Sequence, residues 1–165
     1  MKIPIFILSL VACSISYADT ENKKLEAFKL KVNKALTSRS LESISSLYQW
    51  ADTSHIIRDQ ELLAWREIRL RNWNDDTKVT DIKWEPIEDW SDNQLDRHSG
   101  LIKGQEINGN TYVSNVPVSG LFRINWTRQE GKGQGYIVML VGRDESGRYV
   151  FASPAIHRKD GKKPK

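Results

Sequence analysis

The hydrophobic period of this chain changes once, near Thr77, and that change limits the fold more than any other feature. Before it, apolar residues recur every three or four positions. Leu25, Phe28, Val32 and Leu36 form one stripe; Leu41, Ile44, Leu47 and Tyr48 form a second after a break at 37–40. The spacing predicts helices over 21–36 and 41–50, the second capped by Ser40. A third helix is predicted from 52–54 to about Asn72, with Ile56, Gln60, Leu63 and Glu67 on one line and Ile57, Ala64 and Ile68 beside it. After Thr77 the period is two. Ile82 and Trp84 alternate with Asp81, Lys83 and Glu85 until Pro86 stops the strand. A long strand is predicted over 111–127, bent at 117–120, with Phe122, Ile124 and Trp126 on one face and Arg123 and Asn125 on the other. Residues 136–141 (YIVMLV) are apolar on both parities, as in a strand covered on both sides. Asn108-Gly109, 131–135 and 144–147 read as turns, and 90–105 as a polar surface loop. Three helices before four or five mostly antiparallel strands describe an α+β domain, with the helices on one face of a curved sheet.

The amino terminus predicts export. Lys2 precedes an apolar run over 3–12, and Ser16-Tyr17-Ala18 offers small residues at the positions a signal peptidase accepts, just before the polar Asp19. The run is half the length of a bilayer-spanning helix, which needs about 20 residues, so no transmembrane helix is expected. Cleavage after Ala18 would release a periplasmic or secreted protein of the bacterial envelope. Leu10-Val11-Ala12-Cys13 also fits a lipobox, which would leave a lipoprotein anchored through Cys13. Either way no free thiol remains, because Cys13 is the only cysteine. Disulfides, thiolate catalysis and cysteine-built zinc sites are excluded. The chain therefore divides into a signal peptide (1–18), one domain (19–154) and a basic tail (155–165), expected to be disordered. Lys2 is the leader's only charge, so the net charge of +4 falls to +3 on cleavage. Much of that excess lies in the tail, and export argues against nucleic acid as the partner.

Residues that carry chemistry are sparse. His55, His98 and His157 stand apart from one another and from carboxylates at metal-ligand spacing. Asp89, Asp92 and Asp96 lack the ligand alternation, central glycine and closing glutamate of a calcium loop. No Gly-x-Ser-x-Gly elbow occurs, and the glycine-rich 131–135 precedes a strand, where it cannot aim helix-end amides at a phosphate. No metal, cofactor or catalytic residue is assigned. The six tryptophans are many for a chain this size. Trp84 and Trp126 read as core, whereas Trp73 and Trp90 flank the first strand in polar settings and read as an exposed platform. With Arg123, these four form the candidate ligand site, for an envelope glycan, lipid or protein.

With Ser45-Ser46-Leu47-Tyr48-Gln49-Trp50 closing the second helix and residues 135–142 (GYIVMLVG) as a late hydrophobic strand, the order of elements over 21–154 resembles small exported proteins of the nuclear-transport-factor-2-like (cystatin-like) superfold. The resemblance implies a cone between helices and sheet that serves as pocket, enzyme site or plain core. Isomerases and dehydratases of that superfold bury an aspartate in the cone; Asp81 is the matching acid here, but its parity turns it away from the core. The expected role is a non-enzymatic binding or interaction domain. An envelope inhibitor or immunity protein and a small cavity enzyme are the alternatives. A homodimer is also expected, because helices can cover only one face of 136–141 and would leave Tyr136, Val138 and Leu140 bare.

Overall fold

Leu25, Phe28, Val32, Ala35 and Leu36 fall on one face of the first helix, and all five are buried. That helix, α1 (Phe6–Ser38), lies across a four-stranded antiparallel sheet. The computed structural model describes residues 6–51, 53–71, 73–107, 110–128 and 133–158, and their side chains from 18 to 155. The Asn108-Gly109 turn, residues 129–132 with the first glycine of the 131–135 turn, the start of the leader and the last seven residues of the tail lie outside the described residues.

The sheet has the order β1-β4-β5-β6, formed by β1 (Thr77–Pro86), β4 (Val118–Arg128), β5 (Gln134–Arg143) and β6 (Tyr149–Phe151). Its register sets Trp84 beside Phe122 and Ile124 beside Ile137. Phe122 and Ile124 are fully buried against α1, with Trp126 partly buried in the same cluster, as the period-two reading requires. The space between helix and sheet is filled with rings: Phe28 lies 5.6 Å from Phe122 and 5.5 Å from Phe151, and Trp84 lies 5.6 Å from Phe122. The cone is plain core. The fold is α+β.

Four details depart from the sequence reading. First, the helix α2 covers only Leu41–Ser45. The chain beyond it is taken by the sheet edge, where the Phe151 amide donates to the Leu47 carbonyl (2.8 Å) and Tyr48 bridges to Phe151. Second, α3 (His55–Ala64) passes into a π-helical turn (Trp65–Arg69), and the buried residue of the run is Trp65. The line chosen from the spacing points outward: Ile56, Gln60, Leu63 and Glu67 are all exposed, as is Ile68 from the line beside it. Trp65 wins the inward position because its indole donates to Tyr48 Oη (2.6 Å), which donates to Glu61 (2.8 Å), closing a buried polar chain.

Third, 90–105 is no loop. Trp90 is buried, and α4 (Asp92–Lys103) follows with a reciprocal cap between Ser91 and Gln94 and a positive φ of 87° at Gly104 behind it. Fourth, the strand expected over 111–127 is two strands in different sheets. Asn110–Ser114 (β3) joins a three-stranded sheet with β2 (Gln105–Ile107) and β7 (Pro154–Arg158), while β4 restarts after Pro117. Proline has no amide to continue the ladder. Strand β7 also takes residues 155–158, assigned to the tail, into the sheet, and Ala155 is buried.

The far side of the main sheet carries a second, smaller core of Trp90, Val116, Leu121, Leu140, Val150 and Ala152, with Leu95, Leu101 and Ile102 of the α4 segment packed on it. Leu140, expected bare, is 7% exposed. Only Tyr136 of that row stays open, under the Arg123 guanidinium 5.1 Å from its ring centre. The apolar row that was to drive sheet-to-sheet pairing is therefore largely covered within one chain.

Candidate functional site

The tryptophan site read from the sequence does not assemble. Trp73 and Trp90 are 9% and 7% exposed, so neither forms an open platform. Trp73 packs 6.0 Å from Trp126, and Trp84 sits edge-on to Tyr149 at 5.9 Å, all on the α1 side. Trp90 lies on the opposite face, 5.4 Å from His98, with its indole donating to the Glu85 carbonyl. Arg123 shares that face and pairs with Glu85 (3.1 Å). Burial first, and then the Arg97 charge, holds the His98 pKa below the ordinary histidine value. These side chains build two cores and no common groove.

A cleft of about 480 Å³ opens where α1, α2 and the β5–β6 hairpin meet. Local rules build each wall. α1 ends at Ser38, and Arg39 takes a positive φ of 52° and pairs with Asp75, turning α2 back alongside the helix. Ser40 caps α2 by accepting from the Ser43 amide (3.2 Å), which brings Ser43 and Ser46 to the cleft wall. Opposite them, Gly147 at φ 74° lets residues 144–147 turn tightly. Asp144 pins that turn, accepting from the Ser146 amide (2.9 Å), the Ser146 hydroxyl (2.7 Å), the Arg148 amide (3.0 Å) and Arg148 Nε (2.9 Å). Burial alone would raise the Asp144 pKa; these hydrogen bonds and the Arg148 charge outweigh it and hold the carboxyl at about 2. The floor is apolar, from Phe28, Leu47 and the rings of Tyr48 and Tyr149.

The cleft's charge follows from how α1 spends its lysines. Lys23 pairs with Asp19 (2.6 Å), Lys24 with Glu21 (2.9 Å) and Lys29 with Glu26 (2.7 Å). Lys31 and Lys34 have no acid three or four residues away in either direction. They have no partner among the described residues, and both line the cleft. Arg148 at the rim is already neutralised by Asp144 at 2.8 Å. Two uncompensated ammonium groups thus face an apolar floor.

These groups can hold an anion, and nothing in the cleft is set up to move a proton. Asp144 has its acceptor capacity in use. Tyr48 donates to Glu61, and burial, with the Glu61 charge behind it, raises its pKa well above the ordinary phenol value. Ser38 and Ser46 hydroxyls donate to the carbonyls of Ala35 (2.9 Å) and Ser43 (2.6 Å), which leaves Ser43 and Gln49 as the neutral polar groups. Asp81 is exposed on β1, outside the core. A second cleft, about 550 Å³ around the C-terminal half of α4, has mixed charge from Asp96, Arg97 and Lys103 and draws only Leu101 and Tyr112 as apolar lining. Among the described residues no cluster of His, Cys, Asp or Glu could hold a metal, and no helix is long and apolar enough to cross a membrane.

No protein-family profile matches this chain, and no curated protein is detectably similar to it. Sequence reasoning missed the cleft because Lys31 and Lys34 lie more than a hundred residues from Arg148 and Tyr149. One signal was available: the pattern of acids along α1 stops at Glu26 while the lysines continue.

Proposed function

We propose that the chain is an exported, non-enzymatic binding domain of the bacterial envelope, and that it holds an anionic, partly apolar ligand in the cleft between α1 and the β5–β6 hairpin. The unpaired Lys31 and Lys34 above a floor of Phe28, Leu47 and Tyr149 carry this reading. Two ammonium groups attract a phosphate or carboxylate, and the rings below accept an acyl or sugar face. On a nuclear-transport-factor-2-like reading the ligand would bind at the mouth of the space between helix and sheet, because aromatic side chains fill that space. Anionic envelope lipids and glycans have the required chemistry.

The test is calorimetric titration with inorganic phosphate, phenyl phosphate, and vesicles of phosphatidylglycerol or phosphatidylcholine. Phenyl phosphate should bind more tightly than phosphate, and phosphatidylglycerol should bind where phosphatidylcholine does not. Replacing both Lys31 and Lys34 by Glu should weaken binding at least about tenfold, or 1.4 kcal/mol, with no change in melting temperature. Equal binding by the variant, or no binding to any of these anions, would overturn the reading.

A further inference from the structure

The two edges of the main sheet are treated differently. At β6 the chain closes its own edge: the Phe151 amide donates to the Leu47 carbonyl (2.8 Å), and Tyr48 bridges to Phe151. At the other edge, β1 pairs with β4 on one side and with no described strand on the other. Every second residue of such a strand points its amide and carbonyl outward, where only another strand or water can bond them. A groove of about 270 Å³ runs along this edge between β1 and α1, with Ile82 and Leu30 among its walls. Leu30 is 70% exposed there. On the opposite face of the strand Asp81 and Lys83 are exposed, and neither has a partner among the described residues.

We propose that β1 pairs with β1 of a second copy of the chain, antiparallel about a twofold axis at Ile82, so that the two sheets join edge to edge. The axis sets each residue opposite the one equally far on the other side of Ile82. Asp81 of each copy then faces Lys83 of the other. These four charges alternate in sign around the axis, opposite signs directly across the seam at about 5 Å and like signs only along the longer diagonals. Glu85, the next acid on that face, is held by Arg123 of its own chain (3.1 Å), and Lys29 beside the groove is held by Glu26 (2.7 Å). On the α1 face Ile82 meets Ile82 of the second copy, and the two Leu30 side chains come to the same side of the seam. Neighbouring centres fail. At Asp81 or Lys83, like charges would oppose each other. At Thr80 the bulge between Val79 and Asp81 interrupts the ladder; at Trp84, Ile82 would face Pro86, which has no amide to give. Charged side chains guard an edge against most strands, and a second β1 in this register is a strand whose charges answer them. The bulge keeps the regular ladder short, and the contact falls below the ~800 Å² per partner of a standard interface, so the dimer exchanges with monomer as concentration falls. The inference does not rest on the cleft, which lies beside the β5–β6 hairpin at the far edge of the sheet.

Sedimentation velocity on the chain recovered from the envelope of an expressing host, over a concentration series, tests this. The expected result is a concentration-dependent dimer. Asp81→Lys and Lys83→Asp should each weaken self-association at least about tenfold, because each turns two attractive cross-strand pairs into two repulsive ones. Both positions are exposed, so the melting temperature should hold. An equal mixture of the two variants should form a mixed dimer tighter than either alone, and the double variant, with both pairs reversed, should recover association. Leu30→Glu should weaken the dimer, whereas Leu63→Glu, on the exposed side of α3, should leave it unchanged. Hydrogen exchange adds a backbone readout: amides of residues 81–85 should gain protection as concentration rises. A monomer at every soluble concentration would overturn the proposal. So would a dimer indifferent to the charge reversals, one that the mixture and the double variant fail to restore, or one that forms without slowing exchange in β1.

Discussion

The two faces of the main sheet are covered by different means, and the difference separates what holds this protein together from what is added to it. The α1 face is closed by rings. Phe28, Phe122, Phe151, Tyr149 and Trp84 contact one another directly, and the helix above them contributes an unbroken apolar stripe. The α4 face is closed by a largely polar helix that contains no buried residue of its own. Trp90 and the partly buried Leu95, Leu101 and Ile102 do the covering there, helped by hydrogen bonds from Gln94 Nε2 and the Trp90 indole to Glu85 (3.2 and 3.1 Å). Burial of apolar area is the larger stabilising effect. The first face should therefore govern global unfolding, and the second should open first.

Truncation on each face tests this asymmetry. Phe122→Ala removes a fully buried ring from the centre of the aromatic cluster and should cost roughly 3–5 kcal/mol. Leu140→Ala, on the opposite parity of the neighbouring strand, should fall near the low end for its type, roughly 2–3 kcal/mol, because the α4 segment can settle into the space. Denaturant midpoints measure both. Equal losses would mean that the two cores form one cooperative unit of uniform packing.

How much of this was legible depends on whether the deciding interaction lies near in sequence. The alternation of Phe122, Ile124 and Trp126 states its own orientation, because strand parity is a local property. The Asp144–Gly147 turn was legible for the same reason. α4 was not, because its apolar content is too thin to show a helical period; its signal was the Ser91/Gln94 cap and the glycine at 104, short-range features outweighed by polarity. The outward phase of α3 was hidden because the residue that fixes it, Trp65, lies off the aliphatic line; the π turn shifts only the residues after it. Trp65 finds its place through Tyr48, seventeen positions earlier. The cleft shows the same limit. Unpaired lysines on α1 can be seen in the sequence, whereas the hairpin they face cannot.

Acid should sharpen the comparison. The β5–β6 hairpin joins strands whose side chains reach both cores, and Asp144 holds its turn. With a folded pKa of about 2 against an ordinary carboxylate value near 3.8, Asp144 stays charged in the native state while the unfolded chain takes up a proton. Its contribution is fully present above pH 4 and is lost as pH falls from about 4 toward 2. Asp144→Asn should cost roughly 1–3 kcal/mol at neutral pH, as expected for a buried multiple acceptor, and should flatten the fall in stability over that acid window. An unchanged acid limb in pH-dependent melting would show that the turn is held by Gly147 and the strands alone.

The smallest effect lies in the cap of α4. Gln94 serves twice: its carbonyl oxygen accepts from the Ser91 amide (3.0 Å), and its amide nitrogen reaches Glu85 on β1. Gln94→Ala should lower global stability by only about 0.5–1 kcal/mol, the scale of a lost cap interaction. Local opening should respond more than that figure suggests, because α4 has little buried area with which to resist fraying. Hydrogen exchange can separate the two. Amides of α4 should exchange several-fold faster in the variant, whereas those of β4 and β5, which face the aromatic core, keep their protection. If β4 and β5 accelerate equally, the covering helix does not open as a separate unit, and the distinction between a structural face and an added one has to be abandoned.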